Sequence, residues 1–552
     1  MKTVILAINA KYIHTAPAPW YLKAAVRAAN TAHAGNQSGV TSGPTYTPAI
    51  MKQGQETGIS AYAAPMQEQE TGSQTYATPI PEPEILETHI NRRPEEILSA
   101  IVEARPDILA VSCYIWNIVL VEQLLADVSR LLPHCIVILG GPEVSYNSAD
   151  RLRDLPMVDF IVCGEGEVPF VLLLSLLHQC QCGVVRSPAE GTPQSKGMLQ
   201  NEGKPKSKGT PQSEGTPQSE GMLQNEGKPP REETPHSEET PADADAKGLS
   251  AKSRAPATIP GLTWRDGERI VQNPVATVGG EPPEPLLTEY AKQAAGRIVY
   301  LETSRGCPFD CGFCLSGRPG QVRHFDQNKA KRNLVKLANT GTGTVKLVDR
   351  TWNCQPQRSL EIIRFLMEAH DSGEIPPDVC FHFEAAADLF DRDTLAALSE
   401  APAGLFQMEI GLQSFHAPTL EAIGRKTDME KVRETVRLLR QNNNIHLHLD
   451  LIAGLPEEDL PTFARSFDEA FALSPHMLQL GFLKLLHGSR LREQCRQYGI
   501  EYDPRPPYRV RRTAWISEDD LDHLALCEGV LGRLYNSGRF PATCAMKPTA
   551  VV

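Results

Sequence analysis

At 552 residues, with 41% hydrophobic and 22% charged residues, the chain has an ordinary globular composition and is too long for one hydrophobic core, so two folded domains with spacers are expected. A formal net charge of -12 gives no clustered basic footprint of the kind nucleic acid requires. The longest apolar run, 169–177, falls far short of the roughly 20 residues that cross a bilayer.

The opening residues 1–9 are too brief for a secretory h-region and lack a small-residue cleavage site, so they read as a buried strand of a cytoplasmic protein. Apolar runs at 4–8, 85–89, 108–112, 136–139 and 160–163 alternate with helical patterns such as 94–103 and 120–132. That alternation predicts an α/β domain over 1–180, a doubly wound, Rossmann-like parallel sheet covered on both faces that binds its ligand beyond the carboxyl ends of its strands. A low-complexity insertion at 34–83 interrupts it. Residues 187–252 contain literal repeats, among them Gly-Thr-Pro-Gln-Ser at 191, 209 and 215; with no apolar face to stack, this segment reads as a disordered linker. Within 253–296 the Asp266-Gly267 turn marks a small hairpin joining the domains. Candidate strands at 298–303, 345–349, 379–384, 407–411, 446–452 and 478–483 alternate with helical patterns at 333–339, 360–369 and 429–440. They predict a partial (β/α)6 barrel over 297–490, followed by a helical extension, 491–552, with a helix over 517–534.

Thirteen cysteines, an odd number, in a reducing compartment point to ligand or core roles, and spacing decides between them. Immediately after the first barrel strand comes Cys307-Pro308-Phe309-Asp310-Cys311-Gly312-Phe313-Cys314, a C-x3-C-x2-C loop. Three thiolates on one loop can ligate three irons of a cubane and leave a fourth open, as soft sulfur donors suit iron-sulfur clusters. A structural zinc site is the competing reading; it needs a fourth ligand, for which His324 or Cys354 is available. Cys113, Cys163, Cys380 and Cys495 read as small buried residues.

The loop, with its aromatic Phe313, resembles that of the radical S-adenosylmethionine (SAM) superfamily. The resemblance implies a 4Fe-4S cluster on Cys307, Cys311 and Cys314, SAM chelated to the open iron, and reductive cleavage of SAM to a 5′-deoxyadenosyl radical. It continues along 297–488. His448-Leu449-Asp450-Leu451-Ile452-Ala453-Gly454-Leu455-Pro456 is similar to the fifth-strand segment of oxygen-independent coproporphyrinogen oxidases, and implies that Asp450 contacts the SAM nucleoside. Glu409-Ile410-Gly411-Leu412-Gln413-Ser414 resembles their fourth-strand segment and implies Glu409 and Gln413 near SAM, with Arg425 following for its carboxylate. Glu384 and Asp349 are expected at the SAM hydroxyls and amino group, although Val348-Asp349-Arg350 stands where many relatives carry Gly-Gly-Glu.

A doubly wound domain ahead of such a barrel is the arrangement of the cobalamin-binding subclass. The resemblance implies that strand-end segments cradle cobalamin: Ser112 with Tyr114, Gly140 and Gly141, and Gly164, Glu165 and Gly166, with Asn9 and His14 in the first loop. The D-x-H-x-x-G sequence that supplies a cobalt ligand in many cobalamin proteins is absent. The expected activity is a cobalamin-dependent radical SAM reaction, with methyl transfer to a small-molecule or peptide substrate as the subclass's precedent and a flavodoxin or ferredoxin as electron donor. The alternatives are a radical SAM enzyme whose first domain binds no cobalamin, a tRNA methylthiotransferase, and a non-catalytic cobalamin or metal sensor. The C-terminal extension resembles the start of a domain of unknown function found in some relatives, in an abbreviated form.

Overall fold

The computed structural model describes residues 1–38, 50–51, 79–180, 256–278, 280–285, 287–317 and 322–540. The repeat segment 187–252, most of the insertion 34–83 and the final residues 541–552 lie outside the described residues. The helix Pro17–Ser38 runs past the expected start of the insertion.

The first part of the chain contributes strands β1 (Thr3–Asn9), β2 (Ile50–Met51), β3 (Glu84–His89), β4 (Ile108–Ser112), β5 (Ile136–Gly140), β6 (Phe160–Val162), β7 (Leu262–Asp266), β8 (Arg269–Gln272) and β9 (Thr277–Val278). They form a seven-stranded sheet in the order β3-β1-β4-β5-β6-β7-β8, and β2 pairs separately with β9. The first five members run parallel. β1 is buried at every position, which is why its sequence is a continuous apolar run without alternation. One face packs the helices Pro94–Ala104 and Ile118–Leu131; the other packs Pro17–Ser38 and Glu167–Cys180. The helix Pro94–Ala104 follows sequence chemistry, with proline at its first turn beside Glu95 and Glu96, and Arg105 left-handed at its end. The hairpin at 262–272 is not a free connector: it pairs antiparallel with β6 and extends the first sheet.

The second sheet contains β10 (Ile298–Leu301), then, beyond the short ribbon β11 (Ser304–Arg305) and β12 (Arg323–His324), β13 (Thr344–Leu347), β14 (Cys380–Ala385), β15 (Phe406–Gln413), β16 (His446–Ala453) and β17 (Met477–Phe482). The order β10-β13-β14-β15-β16-β17 is that of the chain, and all neighbours are parallel, giving an open six-stranded barrel segment. Burial alternates along the strands. Phe381, Phe383, Met408, Ile410, Leu447 and Leu449 face the outer helices in the large core, while the positions between them point the other way.

The two sheets are joined at an edge. Ile298 donates its N–H to Ile13 O at 2.7 Å, and Thr15 donates to Ile298 O at 3.2 Å, so the loop after β1 covers the open edge of β10. The last helix, Glu518–Leu534, starts at a capping box between Ser517 and Asp520.

Candidate functional site

The cysteine loop leaves β11 and returns through β12. Its root is fixed by Asp349, which is 2% exposed and accepts from Thr303 N at 2.7 Å and from Thr303 Oγ1 and Ser304 Oγ at 2.6 Å each. Burial pushes the Asp349 carboxyl up, and these donors oppose that shift. Its oxygens are therefore spent on holding the loop, and Asp349 is not among the residues lining the cavity described below. The expectation that it meets a SAM amino group is corrected on that ground.

Each sulfur has a polar neighbour. Thr351 Oγ1 lies 3.3 Å from Cys307 Sγ, Ser316 donates its N–H to Cys314 Sγ at 3.4 Å, and Arg425 Nη1 lies 3.8 Å from Cys311 Sγ. Burial raises the Cys311 thiol and the Arg425 charge works against it. Arg425 also donates from Nη2 to Gly411 O at 2.6 Å and covers the Phe309 ring at 5.5 Å, so it ties the loop to β15; its Nε has no partner among the described residues. His324 and Cys354, the candidates for completing a zinc site, lie 3.9 Å from each other and do not line the cavity.

That cavity, about 180 Å³, lies between the loop and the carboxyl ends of the barrel strands. Cys307, Cys311 and Cys314 line it together with Phe313, Glu384, Glu409, Gln413, Arg425 and Asp450. Every residue expected around SAM except Asp349 thus converges on one space. Gln413 reaches it through a left-handed backbone, φ 71°, at an irregularity in the β15–β16 ladder. Its side chain lies across Gly411, where a Cβ would come within 2.2 Å of Gln413 Nε2. Behind it, Glu458 is 1% exposed and accepts from Ser414 Oγ at 2.6 Å and Ser466 Oγ at 3.1 Å; burial pushes its carboxyl up to about 7.

Three residues that sequence reasoning passed over form the layer beneath. Lys346 Nζ lies 2.8 Å from Glu409 and 3.4 Å from Glu384, His382 Nε2 lies 2.9 Å from Glu409, and His448 Nε2 lies 2.9 Å from Asp450. Burial works against the Glu409 charge, but the His382 bond and Lys346 outweigh it and hold that carboxylate well below the usual range. Glu384 and Asp450 are pushed up by burial. A signal for this layer was present: Lys346, His382 and His448 sit at inward positions of the period-2 pattern.

The first sheet treats its strand ends differently. Asn9 donates to His14 O at 2.9 Å and to Glu87 Oε1 at 2.8 Å, and His14 Nδ1 lies 2.6 Å from Tyr300 Oη of the barrel. Burial lowers the His14 pKa. At the switch point between β1 and β4, Trp116 Nε1 and Asn117 Nδ2 both donate to Ile8 O, and Asn117 also bonds Ser112 O. Tyr114 stacks on Trp116 at 4.4 Å. Gly140 O accepts from Cys113 N at 2.7 Å. Gly141, at φ 107°, passes so close to Cys113 that a Cβ would meet its carbonyl oxygen at 2.5 Å. Gly164 packs under Val275 and Gly166 against Leu22. Glu165 pairs with Arg305 and Arg323, and Glu143 with Arg151 and Tyr508. Asn9, His14 and Glu165 are thus hydrogen-bonded or ion-paired within the chain, and Ser112, Tyr114 and Gly140 lie at the strand ends.

Residues 81–174 match the B12 binding domain, 301–470 the Radical SAM superfamily and 496–547 a protein family of unknown function, DUF4080. The chain is 26% identical over 426 residues to the cobalamin-dependent radical SAM methyltransferase TokK of Streptomyces tokunonensis, covering 76% of this chain and 52% of TokK. It is also 26% identical over 363 residues to the 2-(S-pantetheinyl)-carbapenam-3-carboxylate methyltransferase of Streptantibioticus cattleyicolor, covering 65% of this chain and 44% of that one. The chain therefore spans about half the length of these relatives. Among solved structures, the radical SAM methyltransferase TsrM of Kitasatospora setae shares the fold, with a TM-score of 0.54 and 13% identity over 92% of this chain and 80% of that chain. Among the described residues no helix is long and apolar enough to cross a membrane.

Proposed function

We propose, for a chain that is a radical SAM protein with a B12 binding domain before its barrel and a domain of unknown function after it, that it reductively cleaves SAM at a 4Fe-4S cluster in a cobalamin-dependent reaction, with methyl transfer as the outcome. The observation that carries the reading is the convergence of three thiols on one loop with Gln413, Arg425 and Asp450 in a single cavity. The donor set fits the group. Three soft sulfurs, each with a polar neighbour, would hold three irons of a cubane and leave the fourth open to SAM, and the bound cluster supplies the electron for cleavage.

The chain's own residues then divide the work. Arg425, which lines the cavity and braces Gly411 and Cys311, supplies a guanidinium suited to a carboxylate. Asp450 and Glu384, held by His448 and Lys346, present acceptors suited to the nucleoside hydroxyls. Phe309 and Phe313 give the loop side of the cavity an apolar surface that excludes water. Ser112, Tyr114 and Gly140 would meet cobalamin, and a flavodoxin or ferredoxin in the cytoplasm would supply the electron. The substrate is a small molecule or peptide.

The test is the electron paramagnetic resonance spectrum of anaerobically reconstituted, dithionite-reduced protein with and without SAM, together with cobalamin stoichiometry after expression with cobalamin supplied. A cubane signal that shifts with SAM and about one cobalamin per chain are expected. A cluster indifferent to SAM, or zinc in its place, overturns the reading. A second reading, a radical SAM enzyme without cobalamin, is favoured by the engagement of Asn9, His14 and Glu165 within the chain; a SAM-responsive cluster with no bound cobalamin would select it.

A further inference from the structure

We propose that Glu165, on the first domain, is a positioning residue for the cysteine loop, because its carboxylate bridges two arginines that oppose one another at the loop's neck. The identity of what the loop carries rests on the cluster reading above; the bridge itself does not.

The neck is the ribbon of β11 and β12, in which Arg305 stands directly opposite Arg323. Like charges directly across a strand pair repel, and this ribbon is only two residues long on each side, so little else in the ladder offsets the repulsion. Water screens it weakly, since the two side chains are 21% and 23% exposed. One oxygen, Glu165 Oε2, lies 2.7 Å from Arg305 Nη1 and 2.7 Å from Arg323 Nη2. A single carboxylate oxygen thus lies between the pair and bonds both. Glu167 adds a bond to Arg305 Nη2 at 2.8 Å, and Glu302, before the ribbon, binds the same guanidinium at 2.7 Å.

Glu165 and Glu167 both belong to the segment that leaves β6, so the first domain reaches directly to the point from which Cys307 is suspended two residues later. Glu302 already serves Arg305 from within the barrel, and among the described residues the oxygen that bonds both arginines comes from the first domain. On this account the neck of the cysteine loop is closed by the other domain's charge, and a change at the β6 end is felt at the loop.

The experiment compares the full chain with Glu165→Gln and with Glu165→Gln combined with Arg323→Met. Amide hydrogen exchange of residues 306–317 is measured in the iron-free protein, and iron loss to a chelator in the reconstituted protein. E165Q is expected to speed both by about tenfold, which corresponds to about 1.4 kcal/mol. Adding R323M removes one of the opposed charges and is expected to return both rates to within about twofold of the parent, a small residue of the cross-strand term. An unchanged E165Q chain overturns the proposal, and so does a loosened loop that R323M does not rescue, since a bridge needed only for packing would not be restored by removing a second partner. If E165Q does not fold, R323M alone carries the test: relief of repulsion leaves exchange within about twofold of the parent, whereas loss of a purely structural bridge loosens it about tenfold. A parent chain that takes up no iron would sink the cluster reading while leaving the exchange comparison intact.

Discussion

The two sheets carry similar strand-end chemistry and put it to different uses. In the barrel, Glu384, Glu409, Gln413 and Asp450 turn their side chains into one cavity with the three cysteines. In the first sheet, Asn9, Asn117, Glu143 and Glu165 spend theirs on the chain itself, bonding Glu87, Ile8, Tyr508 and Arg305. A polar residue or glycine after a parallel strand is therefore ambiguous taken alone. What separates the cases is whether the neighbouring strand ends leave a shared volume or close on one another.

The sharpest test of that contrast is Cys311→Ala. If the barrel's strand ends are built around a cluster, iron after anaerobic reconstitution falls from about four per chain to below about one, while cobalamin binding by the first domain is unaffected. Iron analysis and absorbance of the two forms decide it; retention of a full cluster would show that the three thiols do not act together.

How much of this was legible in the sequence follows the same division. The parallel strands of both sheets were readable as segments because doubly buried strands appear as continuous apolar runs and half-buried ones as alternation, and the cysteine spacing named the loop. The hairpin after Gly261 was readable from its Asp-Gly turn, but that turn does not say which sheet edge the hairpin joins. Asp349 was misplaced for a related reason: a strand-end carboxylate can turn into the cavity or back to the loop root, and only the hydroxyls of Thr303 and Ser304 decide. Lys346, His382 and His448 lay at visible inward positions, but no motif marks them, and their partners come from different strands.

Glu458 offers the next largest effect. Its folded value of about 7, against an ordinary 4.5, means the folded chain holds this proton more tightly than the unfolded one. That contribution, about 3 kcal/mol at 1.36 kcal/mol per unit, is fully present below about pH 4.5 and is lost as pH rises through about 7. Chemical denaturation at pH 5 and pH 8 should reveal the loss, and Glu458→Gln should flatten it while keeping the Ser414 contact beside Gln413. A parent chain equally stable at both pH values would remove the buried-carboxyl account of how this turn is held.

Gly141→Ala probes the first sheet. A left-handed backbone and a carbonyl within 2.5 Å of the new Cβ predict a loss of about 2 kcal/mol in stability with no ligand present. If instead the variant is as stable as the parent and only cobalamin binding falls, the glycine serves a ligand after all, and the contrast between the sheets weakens.

The smallest effect, and the most specific, is expected from Arg425→Lys. Two guanidinium nitrogens reach Gly411 O and Cys311 Sγ at once on a side chain that lines the cavity; one ammonium cannot span those positions. The cysteines are untouched, so the cluster should assemble as in the parent. Saturating the SAM-induced spectral shift should then take about tenfold more SAM, about 1.4 kcal/mol. Tyr114→Phe, at the corresponding level of the first sheet, should leave that titration unchanged, because its ring stacks on Trp116 and does not line the cavity. If both substitutions weaken SAM equally, the two sets of strand ends share one ligand space, and the division drawn between them fails at the point where the sheets meet.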